Sequence, residues 1–212
     1  MDELTDFEAG VLLASASPRR RELLLSIGLP VRVRPVAIDE TPAPDEPAWA
    51  YVERIARAKG QAARERDAAW LADGPHRVLL AADTTVVLDD RILGKPAEVQ
   101  DARAMLQALA GREHRVLTGV FAATGAAERF EVDESVIEFR AMADQEIEAY
   151  LASGEPFDKA GSYGIQGLGG IFVAALTGSF TGVAGLPVAR VEAMLTELAI
   201  DPWALREIGT AA

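Results

Sequence analysis

The sequence contains no cysteine. This excludes disulfides, thiol nucleophiles and cysteine-ligated metal sites, and it fits a cytoplasmic protein. Histidine is nearly as scarce. His76 and His114 lie far apart without metal-ligand spacing, so both read as solvated or loop residues. No apolar run reaches the roughly 18 residues that a membrane helix requires. The opening, MDELTDFEAG, is acidic and has no basic segment, so it does not read as a secretory or transit peptide. Basic charge is also in deficit, with 21 Lys and Arg against 33 Asp and Glu, a formal charge of −12. That balance argues against binding a nucleic-acid polymer, which needs an extended basic surface. It leaves room for a small anionic substrate, for which a few cations focused in one cleft suffice.

What is present is a large apolar fraction. Half of the 212 residues are hydrophobic, enough for a sizeable core. Residues 11–14 read as a buried strand, 18–27 as a helix capped by Gly28, and 31–36 as a second strand. Residues 38–47 form a proline-rich acidic loop, and 47–72 carry the longest helical pattern, ended by the Asp-Gly-Pro at 73–75. Residues 78–96 read as a strand, a break at the Ala-Asp-Thr-Thr of 82–85, a second extended stretch and an Asp-Asp hairpin turn. A helix over 99–110 ends at Gly111, and two antiparallel strands follow at 113–124 and 129–141. A helix over 142–153, with Asp144 as N-cap, leads to a glycine-dense loop over 154–170 and a strand at 171–176. The chain closes with a helix over 187–198 and a shorter piece near 202–208. Strands alternating with helices around an antiparallel pair predict an α/β protein with a mixed sheet. A single domain over 1–212 is expected, organised as one body or as two lobes flanking a cleft.

Three stretches carry chemistry. In LASASPRRRELL, residues 13–24, Ser17 is a good N-cap and Pro18 suits the first helical position. Arg19, Arg20 and Arg21 then occupy the first turn, where the positive end of the helix dipole disfavours cations. Unpaired N–H groups, the hydroxyls of Ser15 and Ser17 and arginine forks together make an anion site. The alternative is three solvated arginines. No Walker loop is present. In LAADTTVVLDDRILGKP, Asp83 ends an apolar run at a position suited to a base or metal ligand. The hairpin returns Lys95 toward the same place. Glu40, in the acidic loop, is a second candidate oxygen ligand, and Lys59 interrupts the small apolar face of the long helix. Each of these also has a plain reading as a turn or surface residue. In EPFDKAGSYGIQGLGG, six glycines between 154 and 170 permit close backbone approach to a ligand. Gln166 there carries the donor and acceptor needed to read a nucleobase edge.

Taken in order, LASASPRR, IDET, YVERIARAKG, AADTTVVLDDRILGKP, DKAGSYGIQGLGG and GSFTGVAGLPV resemble the Maf family of nucleoside triphosphate pyrophosphatases, also called septum formation proteins. The resemblance spans about 11–198. Ala16 stands where glycine is frequent in that family. The resemblance implies an elongated mixed β-sheet flanked by helices, with a deep central cleft. It also implies hydrolysis of a nucleoside triphosphate to the monophosphate and pyrophosphate. The catalytic aspartate of the family falls on Asp83 and its specificity positions on Arg19, Thr84 and Gln166. Its other cleft residues fall on Ser15, Arg20, Glu40, Lys59 and Lys95. Of these, Ser15, Arg19, Arg20, Lys59, Thr84, Lys95 and Gln166 are assigned to the nucleotide. Glu40 and Asp83 are assigned to a divalent cation, Mg²⁺ or Mn²⁺. The Tyr-Gly-Ile-Gln-Gly form resembles the branch acting on dTTP and UTP, not the branch acting on 7-methyl-GTP. A homodimer, nucleotide pool cleansing and cell-division arrest are further implications. Two rivals stay open: a phosphatase or sugar-nucleotide transferase on the same anion site, and a non-catalytic nucleotide sensor of septum formation.

Overall fold

The computed structural model describes Leu4 and residues 7–210; the rest of the acidic opening lies outside the described residues. In chain order the elements are β1 (Gly10–Leu13), α1 (Pro18–Ser26), β2 (Val31–Val33), α2 (Ala48–Arg66), α3 (Ala68–Ala72), β3 (Arg77–Leu88) and β4 (Arg91–Leu93). They continue with α4 (Val99–Leu109), β5 (Glu113–Ala123), β6 (Glu128–Phe139), α5 (Asp144–Ala152), β7 (Val173–Thr177), α6 (Phe180–Val183), α7 (Val188–Glu197) and α8 (Pro202–Thr210). Three short 3₁₀ turns, at Glu155–Asp158, Ala160–Ser162 and Leu168–Phe172, structure the glycine-dense segment. The strands form one open seven-stranded sheet in the order β2-β1-β3-β5-β6-β7, with β4 added to β3. Strand β1 runs parallel to β2 and β3, and the other pairings are antiparallel. The expected mixed sheet with helices on its faces is what the chain forms.

The apolar runs are buried on both faces. Val11, Leu13, Val78, Leu80 and Ala82 pack with Leu24, Val191, Met194 and Leu195 in one core. Their alternates Leu12, Leu79 and Ala81 pack with Ala63, Leu71 and Phe121 in another. This is the period-2 pattern of strands covered on both sides. A third core joins Val86 and Leu88 to Leu106, Phe139, Tyr150 and Phe172, on the far side of the cleft described below.

Several boundaries differ from expectation, each for a local reason. No break occurs at 82–85, because β5 pairs with β3 continuously from Leu79 to Val87. The interruption lies on the other edge. There β1 ends opposite Leu80, and the pairing with β4 covers only Val86 to Leu88. The long helix divides at Asp67 (φ −108°, ψ 20°), whose buried carboxylate accepts from Arg34 and Arg66. Strand β2 stops at Val33, just before the loop in which Pro35 has no N–H to give. Ala143, not Asp144, caps α5, and Glu146 Oε2 accepts the Ala143 N–H at 3.0 Å. Strand β7 begins two residues late, after a 3₁₀ turn, and the one-turn helix α6 carries no apolar period by which to be foreseen. The Asp89–Asp90 hairpin is as expected. Both residues have positive φ, 49° and 63°, as a tight two-residue turn demands.

Glycine sets how closely α2 approaches the sheet. A Cβ at Gly60 would lie 2.1 Å from the Phe121 ring, and one at Gly119 would lie 3.0 Å from the Val52 carbonyl. Phe121 is fully buried and has no room to yield. Overpacking here outweighs the helix propensity of alanine, so Gly60→Ala destabilises by about 1–3 kcal/mol. A thermal melt shows it as a lowered midpoint.

Candidate active site

The gap between the end of β1 at Leu13 and the end of β4 at Leu93 opens a cleft of about 1150 Å³. Residues 81–85 of β3 have no strand partner on that edge, so successive side chains, Asp83, Thr84 and Thr85, all reach the cleft. All nine residues singled out in the sequence line it: Ser15, Arg19, Arg20, Glu40, Lys59, Asp83, Thr84, Lys95 and Gln166. Arg21 is exposed and is not among the lining residues.

The nine divide into those already bonded and those that are not. Arg20 is buried. Its Nε donates to the Gly185 carbonyl (2.8 Å), Nη1 to Ser15 Oγ (2.9 Å) and Nη2 to Thr84 Oγ1 (3.1 Å). Ser15 Oγ also accepts the Ser17 N–H at 3.3 Å. Having accepted twice, the Ser15 hydroxyl keeps its own proton to donate into the cleft. Ser17 caps α1 by position only, since its side chain makes no capping bond. Thr84 and Thr118 face each other in the β3–β5 register, their hydroxyls 2.9 Å apart. Thr118 spends its proton on the Gly182 carbonyl at 2.8 Å, so Thr84 is the donor to Thr118. One directed chain therefore ties α1 to β3, β5 and α6.

Lys59 projects from α2, two turns beyond Tyr51 on the same face, and its Nζ bridges two carboxylates. It lies 2.9 Å from Asp83 Oδ1 and 2.8 Å from Glu40 Oε1. Lys59 and Asp83 are 8 % and 6 % exposed, whereas the Glu40 side chain is half exposed. Burial pushes the Asp83 carboxyl above its ordinary range, and the neighbouring Lys59 and Arg20 offset only part of that push. Tyr51 donates to the Glu40 carbonyl at 3.1 Å. Burial, reinforced by Asp83 and Glu40, raises its phenol to about 12, so it remains a neutral donor. Sequence reasoning gave Tyr51 no role, although its spacing of eight from Lys59 on one helix places both on one face.

Arg19, Lys95 and Gln166 line the cleft without a hydrogen bond or ion pair among the described residues. These side chains remain available to a ligand. All three share the cleft with the buried Asp83, and Gln166 belongs to the glycine-dense segment.

Glu40 and Asp83 are the carboxylates nearest Lys59, and no cluster of three or more His, Cys, Asp or Glu exists among the described residues. Two carboxylates do not make an all-protein cage. They fit Mg²⁺ or Mn²⁺ held by one or two carboxylates with substrate phosphates and water completing the shell.

Below the cleft, His114 is buried and hydrogen-bonded through Nε2 to the Tyr163 hydroxyl at 2.9 Å, packed edge-on against Phe139. It is a core residue, not the solvated or loop residue expected. Burial lowers it from 6.5 to about 4. Between those values the unfolded chain binds a proton that the folded chain refuses. Stability is thus full above pH 6.5 and falls as pH drops toward 4, by about 3 kcal/mol from this group. Urea unfolding shows that loss, and His114→Gln flattens it.

The cleft can bind an anionic chain beside a buried carboxylate of raised proton affinity, and comparisons with known proteins agree with that chemistry. Residues 10–198 match the family of Maf-like proteins. A dTTP/UTP pyrophosphatase of Pasteurella multocida is 45% identical over 200 residues, covering 93% of this chain and 99% of that protein. The dTTP/UTP pyrophosphatase of Chromobacterium violaceum is 47% identical over 192 residues, 90% and 96% of the two chains. That of Anaeromyxobacter dehalogenans is 46% identical over 198 residues, 91% and 96%. Relatedness over nearly the whole length, through every lining segment of the cleft, establishes that this chain belongs to the Maf family.

Proposed function

We propose that this protein hydrolyses dTTP and UTP to the monophosphate and pyrophosphate. The observation that carries the reading is that one cleft holds the buried Asp83 together with two cations, Arg19 and Lys95, that make no hydrogen bond or ion pair among the described residues. Arg19, Lys95 and the Ser15 hydroxyl bind the triphosphate. Arg20 holds Ser15 and Thr84 in place and adds its buried charge to the field. Lys59 keeps Asp83 and Glu40 oriented and supplies further positive charge. Asp83 takes a proton from the attacking water as its oxygen bonds to the α-phosphorus. The α–β anhydride bond breaks, and pyrophosphate leaves with the bridging oxygen. The work of the protein is positioning and charge stabilisation. Glu40 and Asp83 would hold a divalent cation, which would neutralise phosphate charge and polarise the reacting phosphoryl group.

Gln166 reads the pyrimidine edge with its amide. A site built to pair with a base loses selectivity when that pairing is removed. Gln166→Ala therefore lowers kcat/KM for dTTP and UTP about tenfold or more relative to dATP and GTP. Equal losses for all four nucleotides contradict the assignment. The same reading places the protein in the cytoplasm, where such nucleotides are used, and takes a homodimer as its assembly. Among the described residues no helix is long and apolar enough to cross a membrane.

A further inference from the structure

Glu155 lines the cleft, yet phosphate chemistry does not explain it. Its carboxylate is occupied by the segment that carries Gln166. Oε1 accepts from the Tyr150 hydroxyl (2.8 Å) and from the Gly169 N–H (3.0 Å), and Oε2 accepts from the Leu168 N–H (2.9 Å). The Tyr150 oxygen in turn accepts the Gly164 N–H at 3.2 Å. Backbone donors on both sides of Gln166 thus converge on one carboxylate–phenol pair. The glycines are there because this pair is so close. A Cβ at Gly167 would lie 2.3 Å from Glu155 Oε2, and one at Gly169 would lie 2.6 Å from the Tyr150 oxygen.

Gln166 is exposed and its own side chain makes no hydrogen bond among the described residues. Where its amide sits is therefore decided by the backbone around it, and that backbone is held by Glu155 and Tyr150. We infer that Glu155 and Tyr150 are positioning residues for base recognition, fixing the glycine-rich turn so that the Gln166 amide meets the pyrimidine edge. With three donors on its two oxygens, Glu155 is committed to the loop and does not serve as a metal ligand or base. Burial pushes its carboxyl up, but the two backbone donors, Tyr150 and nearby Lys159 outweigh this and hold it below the ordinary range. It is therefore a charged acceptor, the stronger kind. This inference rests on Gln166 as the reader of the base.

The test compares kcat/KM for dTTP and for dATP in the full-length protein and in Glu155→Gln, Gln166→Ala and the double variant. Glutamine keeps the shape but replaces one acceptor oxygen with a donor, leaving a backbone N–H unmet. The expected result is a roughly tenfold fall in the dTTP-to-dATP ratio for Glu155→Gln, in line with loss of a charged hydrogen bond. In the Gln166→Ala background the same change leaves the ratio where it was. Tyr150→Phe shifts the ratio in the same direction and decides the matter if Glu155→Gln does not fold. Equal losses on both nucleotides overturn the inference and leave Glu155 a stability residue. So does an undiminished ratio change in the double variant. If Gln166→Ala alone leaves the ratio unchanged, the base-reading assignment itself has failed, and the positioning role falls with it.

Discussion

Asp83→Asn lowers kcat for dTTP about 100-fold or more, the cost of removing a positioned general base. The substitution keeps the shape of the side chain, and its amide oxygen can still accept from Lys59, now 2.9 Å from Asp83 Oδ1. The strand is paired with β5 from Leu79 to Val87, on both sides of Asp83, so the backbone there does not depend on the carboxylate. The change is thus confined to one proton-accepting oxygen in a site that is 6 % exposed. Circular dichroism should match that of the parent protein while turnover collapses. Turnover near the parent level would remove Asp83 from the chemistry.

Lys59→Met gives the second large effect, on stability as well as on rate. Methionine preserves the apolar stem against α2 and the sheet but removes the charge between Asp83 and Glu40. Glu40 is half exposed and rehydrates. Asp83 does not, and breaking a buried pair by deleting one partner costs about 3–5 kcal/mol. The double variant Lys59→Met/Asp83→Asn no longer buries an unpaired carboxylate and recovers most of that loss. Urea unfolding at pH 8 measures both. Additive losses in the double variant would mean that the two side chains are not coupled as the geometry shows.

The sequence made the alternation of strands and helices legible, because apolar runs such as 11–14 and 78–82 are buried on both faces and bounded by strong turn residues. It also marked several cleft residues that carry a charge in an unexpected place, Arg19, Arg20 and Lys59 above all. It misplaced the opening at 82–85 by one strand. A gap in pairing belongs to the neighbour, and the residues at the gap carry no mark of which edge is bare. It could not separate Arg20 from Arg19, because the partner that buries Arg20 is the Gly185 carbonyl, 165 positions away. Glu155 was hidden for the same reason. Its partners are the Tyr150 hydroxyl and two backbone N–H groups, which every residue but proline possesses, and only the folded loop shows that these three converge on it.

The central claim is that this cleft cuts a nucleoside triphosphate between its α and β phosphates. The most direct measurement incubates the protein with dTTP or UTP and Mg²⁺ or Mn²⁺, with a chelator control, and quantifies pyrophosphate and orthophosphate separately. The account predicts pyrophosphate in equal amount to monophosphate, abolished by the chelator and by Asp83→Asn. Orthophosphate as the sole phosphate product, or tight nucleotide binding without turnover, would contradict it.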